Sequence, residues 1–114
     1  MRIERFEDIL AWQKAKQLTY EIYGQMREVR DLGFKDQIQR ASVSIMNNIA
    51  EGFERKSNKE FKQFLFISKG SCGEVRSMLN VANLLKYIDN KQFDFMSALS
   101  IEISKMLSGL IKTL

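Results

Sequence analysis

Residues Asp36–Phe53 read DQIQRASVSIMNNIAEGF, and the spacing inside this stretch decides the fold class. Phe34, Ile38, Ala41, Ile45, Ile49 and Phe53 recur at steps of three or four, the rhythm of a helix with one face on a core. Gln37, Arg40, Ser44, Asn47 and Glu51 recur at the same steps on another face. Those side chains are mostly short or hydrogen-bonding, unlike the lysines and glutamates of a purely solvated face. Val43, Met46 and Ala50 lie beyond them, so apolar positions cover more of the circumference than one core-facing stripe needs. The segment reads as a central helix with neighbours on several sides.

The rest of the composition agrees with a helical domain. The chain has 114 residues, enough for one domain with a core that needs no cross-links. It contains no proline and only six glycines, so it has little turn chemistry for a sheet. Long helices joined by short loops are expected. Histidine is absent, which removes the commonest general base and metal ligand and the Glu-x-x-His pairs of di-iron bundles. No metal or other cofactor is expected. The lone Cys72 excludes an internal disulfide, and the opening MRIERFED has no apolar signal region, which points to the cytoplasm. The apolar run Phe64–Ile67 is far too short to span a membrane.

In chain order, the pattern predicts an all-α, antiparallel up-down four-helix bundle with helices near residues 7–29, 34–54, 58–88 and 91–113. Ile9, Trp12, Ala15, Thr19, Ile22, Met26 and Val29 carry the first stripe, with Trp12 as core anchor. Asp31-Leu32-Gly33 interrupts the period and predicts a short turn between antiparallel neighbours. Ser57-Asn58-Lys59-Glu60 is a capping box that opens the third helix. Asp89-Asn90 caps the fourth, striped by Met96, Leu99, Ile103, Met106, Leu107 and Leu110.

The middle of the third helix, Ser68-Lys69-Gly70-Ser71-Cys72-Gly73, is unusually small. Its glycines cost roughly 1 kcal/mol each relative to alanine, so close approach of a neighbouring backbone is expected there. Cys72 reads as a buried thiol, with no histidine to activate it. Glu51 and Glu74 are the only carboxylates in small, semi-buried surroundings, too few for a metal or an acid–base pair. Hairpin register brings Arg40 within a turn of Glu74, predicting an ion pair. Ser44, Asn48 and Glu51 are expected to be hydrogen-bonded at helix or subunit contacts.

Net charge is +4. Arg55, Lys56, Lys59 and Lys62 cluster around the second turn, and Lys62, Lys69 and Arg76 repeat every seven residues along about 20 Å of helix. Such a row either tracks a phosphate backbone or simply solvates an outer face. Two functions follow: a non-enzymatic oligomer that binds RNA or DNA with little sequence preference, or a structural or protein-interaction scaffold. The extra apolar surface of the second helix, with off-stripe Leu10, Phe66 and Ile101, favours self-association in either case.

NIAEG at Asn48–Gly52, with Gln37, Arg40, Ser44, Gly70, Ser71 and Glu74 around it, resembles the four-helix-bundle proteins of the 23S rRNA intervening-sequence family. Phe6-Glu7-Asp8 and Trp12-Gln13-Lys14-Ala15 extend the resemblance to the first helix, although the connection Arg30–Phe34 lacks the proline common there. The resemblance implies a ring-like homopentamer. It also implies kinship with accessory proteins of diversity-generating retroelements, whose partners are a reverse transcriptase and nucleic acid. The matched residues Gln37, Arg40, Ser44, Asn48, Glu51, Gly52, Gly70, Ser71 and Glu74 then serve fold and assembly, with no catalytic set.

Overall fold

A computed structural model describes residues 2–114. A single 3₁₀ turn at Phe6–Asp8 precedes four helices: α1 (Leu10–Gln25), α2 (Leu32–Phe53), α3 (Asn58–Leu84) and α4 (Asn90–Lys112). No strand occurs among the described residues. Each helix packs on its sequence neighbour and α1 returns against α4. Paired contacts fix the directions. Thr19 Oγ1 reaches Ser42 O while Lys35 Nζ reaches Arg27 O, so α1 and α2 run oppositely. Ser68 against Ile45 and Glu74 against Gln37 do the same for α2 and α3, as do Cys72 against Ser100 and Asn83 against Asn90 for α3 and α4.

The expected stripes supply most of the core, and Leu18, Leu65 and Leu79 join it from outside them. Ala15, Leu18, Ile22, Ile38, Ile45, Ile49, Leu65, Val75, Leu79, Met96, Ile103 and Leu107 are all fully buried. Trp12 is only half-buried at the rim of this core, edge-on to Phe6 at 5.2 Å and beneath Lys16 Nζ at 5.5 Å. Its indole Nε1 is buried without a hydrogen-bond partner.

Helix ends differ from the sequence pattern in instructive ways. Ile9 is extended, so the first helix begins at Leu10 instead of residue 7, and it stops at Gln25 although Met26 and Val29 continue the stripe. Those two side chains still bury or half-bury apolar surface from a turn. Leu32 and Gly33 belong to α2 and not to the connection, because the Asp31 side chain caps the helix by accepting from Phe34 N–H at 3.2 Å. Ser57 opens α3 as predicted, its Oγ accepting from Glu60 N–H at 3.2 Å, while the Glu60 carboxylate accepts from the Ser57 hydroxyl at 3.3 Å and not from its backbone N–H.

α3 ends four residues before the expected 88. Tyr87 N–H donates to Ala82 O at 2.8 Å and Lys86 N–H to Asn83 O at 3.0 Å, the paired bonds of a Schellman ending. Lys86 takes the left-handed position of that motif, with φ 63°, where glycine is the usual occupant. Tyr87 then points its hydroxyl at Asp31 Oδ2, 2.8 Å away, and sets its ring edge-on to Phe34 at 5.4 Å. That hydrogen bond, helped by the carboxylate's charge, holds the phenol above its ordinary pKa. One aspartate thereby caps α2 and ties it to the α3–α4 connection.

Candidate nucleic-acid interface

The predicted residues fall into two groups, on opposite flanks of α3. The first lies between α2 and α3. Ser44 Oγ and Ser71 Oγ are 2.9 Å apart, and Asn48 Nδ2 donates to both Ser44 O and Ser44 Oγ at 2.8 and 2.9 Å. One turn along, Ser68 Oγ donates to Ile45 O at 2.7 Å in a buried setting. Gln37 Nε2 reaches Glu74 at 3.3 Å on the surface. Ser44 was legible from the spacing of the polar face, and Asn48 and Ser71 from the family resemblance; Ser68 was not, because its spacing, like that of Ser71, is that of a core position.

Arg40 does not pair with Glu74. Its side chain is 80% exposed and reaches only Asp36, at a long 4.0 Å. Register placed Arg40 at the right height, but the two residues diverge around their helix axes, and both line the rim of one open groove. Glu51 is likewise exposed; it holds Arg55 at 2.7 Å across one helical turn.

The glycines are also reassigned. A Cβ on Gly70 or Gly73 would meet nothing within 4 Å, so no backbone of this subunit crowds them. The tight approach is at Gly52, where a Cβ would lie 2.6 Å from Phe64 Cβ and 3.3 Å from Phe61 O. Gly52 is fully covered because α2 ends against the first turns of α3. Sequence alone marked Gly52 as a motif residue without showing what it makes room for.

The second group is the cations. Arg55 is already engaged, by Glu51 at 2.7 Å, by Glu60 at 4.0 Å and by the Phe64 ring beneath its guanidinium at 4.8 Å. Lys56 and Lys59 are exposed on the turn and the first turn of α3. Lys62, Lys69 and Arg76 are half-buried, and the seven-residue spacing keeps them within about 40° of one another around the helix. Among the described residues the ion pairs engage Arg5, Lys14, Arg40 and Arg55, and none reaches this row.

Cys72 lies beside the row, fully buried, with its thiol 3.0 Å from Ser100 O of α4. Burial pushes the thiol up to about 11, with the charges of Arg76 and Lys69 opposing the rise. It is a neutral packing group at physiological pH. No three metal-ligating side chains converge among the described residues, and no helix is long and apolar enough to cross a membrane.

Two comparisons bear on this arrangement. A family model described as 23S rRNA-intervening sequence protein matches residues 7–109. The fold is similar to the crystal structure of a protein of unknown function from Bacteroides thetaiotaomicron, assigned to the S23 ribosomal protein family. That likeness has a TM-score of 0.84 at 26% sequence identity and covers 90% of this chain and 99% of that one. No curated protein shows significant similarity to the sequence.

Proposed function

The chain belongs to the 23S rRNA-intervening sequence protein family, and from that premise we propose that it is a non-enzymatic, homo-oligomeric bundle that binds RNA or DNA through backbone phosphates. The observation that carries the reading is the row Lys62, Lys69 and Arg76, three cations on one helix edge with no carboxylate paired to them. Lys56 and Lys59 extend the positive charge to the turn. Such a row gains by meeting phosphates and releasing their counterions. It carries no base-reading chemistry, so binding has little sequence preference.

Self-association is supported by apolar surface that one subunit leaves uncovered. Phe66 is 56% exposed, Leu84 80% and Leu10 54%, with Ile67, Val81 and Ile101 also exposed. The family resemblance points to five subunits, which would repeat a modest +4 around a ring. A cytoplasmic location and a reverse transcriptase as protein partner belong to the same proposal.

Sedimentation at micromolar concentration should give a species several times the 13.3 kDa subunit; a monomer would defeat the oligomer. In fluorescence anisotropy at low salt, wild-type protein should retain heterogeneous RNA or duplex DNA. Replacing Lys62, Lys69 and Arg76 by Glu should abolish retention with the melting temperature nearly unchanged. If the wild-type oligomer retains neither nucleic acid, it is an interaction scaffold whose lysines only solvate it.

A further inference from the structure

The row of cations does not stand alone; the edge of α4 beside it is built from serines. The hydrogen bond from Cys72 to Ser100 O and the contact of Asn83 with Asn90 set the register between the two helices. Counting from those anchors, Arg76 stands level with Ser97 and Lys69 with Ser104, while Lys62 falls within a turn of Ser108. Ser97, Ser104 and Ser108 lie within about 40° of one another around α4 and are all half-buried. Ser100, turned further inward, spends its hydroxyl on Ser97 O at 2.7 Å.

Carboxylates are kept off this seam. Glu74 faces α2, where it takes Gln37; Glu60 sits at the capped start of α3; and Glu102 pairs with Lys14 of α1. Asp94 lies a turn beyond Ser97, at the far end. An ordinary solvated helix edge mixes both signs of charge, whereas this seam sets a row of cations on α3 beside a row of small hydroxyls on α4 along about 20 Å.

We infer that the α3–α4 seam is a phosphate track for duplex nucleic acid, in which the hydroxyls of Ser97, Ser104 and Ser108 hydrogen-bond the same backbone that Lys62, Lys69 and Arg76 neutralise. This rests on the nucleic-acid reading above and adds the helix seam that carries it, a second set of ligands and the strandedness of the substrate. The duplex follows from what the seam lacks. Proteins that hold single strands combine cations with aromatic platforms on which bases stack. Here the exposed aromatic nearest the row is Phe66, alone on the outward face, and Phe64 is already covered by Arg55. A site of cations and hydroxyls gains nothing from unpaired bases and most from the denser charge of a duplex.

The experiment uses the full-length protein with a fluorescein-labelled 20-base-pair mixed-sequence DNA duplex, its separate strand, and an RNA duplex of the same sequence. Anisotropy is followed between 50 and 200 mM salt. Three neutralised phosphates per seam give a log–log salt slope of about 2.7 on duplex DNA and about 2.1 on the single strand, per engaged seam. Lys69→Gln should lower the duplex slope by about 0.9 per engaged seam. Replacing Ser97, Ser104 and Ser108 together by Ala should weaken duplex binding by roughly fivefold or more at fixed salt, leaving the slope unchanged because hydroxyls displace no counterions. Alanine suits a helix better than serine, so folding should survive, and a melting curve checks it.

Retention of either duplex with those signatures supports the track. The track is overturned if wild-type binds but the serine variant binds equally well, if the single strand binds more tightly than either duplex, or if Arg27→Glu with Arg30→Glu, at the α1–α2 connection and off the α3–α4 seam, erases binding instead. Absence of all binding by the wild-type protein overturns the nucleic-acid reading itself, and the track with it.

Discussion

On the flank of α3 that meets α2, Ser68 and Ser71 reach Ile45 and Ser44, and Gly52 admits Phe64 and Phe61. On its outward flank Phe66 and Ile67 are exposed and Gly70 has open space above it, although the residue types are equally small and apolar. Composition is therefore a poor guide to which small residues matter. What lies across from a glycine or serine decides whether it is a contact, a gap or a surface left for another molecule.

The largest expected contrast is between two leucines of the same helix. Leu65 is fully buried, and Leu65→Ala should cost about 2–5 kcal/mol. Leu84→Ala, at the exposed end, should stay within about 0.5 kcal/mol in the dissociated subunit. Urea unfolding at low protein concentration measures both. A comparable loss at Leu84 would mean that the outward flank is covered even there.

Glycines give the next contrast, with opposite signs. Gly52→Ala should destabilise by about 1–3 kcal/mol, because its Cβ collides with Phe64 Cβ, an atom fixed close to the backbone. Gly70→Ala should stabilise an isolated subunit by up to about 1 kcal/mol through helix propensity alone. Thermal melts of the two variants should move in opposite directions. If Gly70→Ala instead weakens association, a second subunit packs where this one leaves space.

Arg40 gives the smallest effect. Its exposed, 4.0 Å contact with Asp36 leaves Arg40→Ala within about 0.5 kcal/mol of wild type. A loss of several kcal/mol would require a buried partner that the subunit does not contain, and would place Arg40 in a subunit interface.

The fold was legible because period-3.6 stripes, the capping box at Ser57 and the lack of proline all point one way. Helix ends were less so, since a stripe can outlast its helix: Met26 and Val29 bury apolar surface from a turn. Asp31 recruited Leu32 and Gly33 into α2, and Lys86 took the left-handed position where a glycine would have advertised the stop. Among the site residues, Ser44 follows from its spacing, Asn48 and Ser71 only from the family resemblance, and Asn47, which shares the spacing, is exposed. The failed Arg40–Glu74 pair shows what spacing omits: it gives height along a helix but not the angle between side chains on different helices. The serines of α4 belong to no stripe or motif in the sequence, and their relation to the cations needed the register of α3 on α4.

The hydroxyl contacts between α2 and α3 also act as an alignment key. Two apolar helices slid past each other by one turn, about 5.4 Å, can still bury much the same hydrophobic area. Such a slip would part Ser68 from Ile45 and Ser71 from Ser44, and would carry Phe64 away from the backbone notch at Gly52. Oily contacts supply the adhesion between these helices, while a few short polar ones choose a single alignment among several of similar energy. Erasing them would be felt less as melting than as loss of one shared shape.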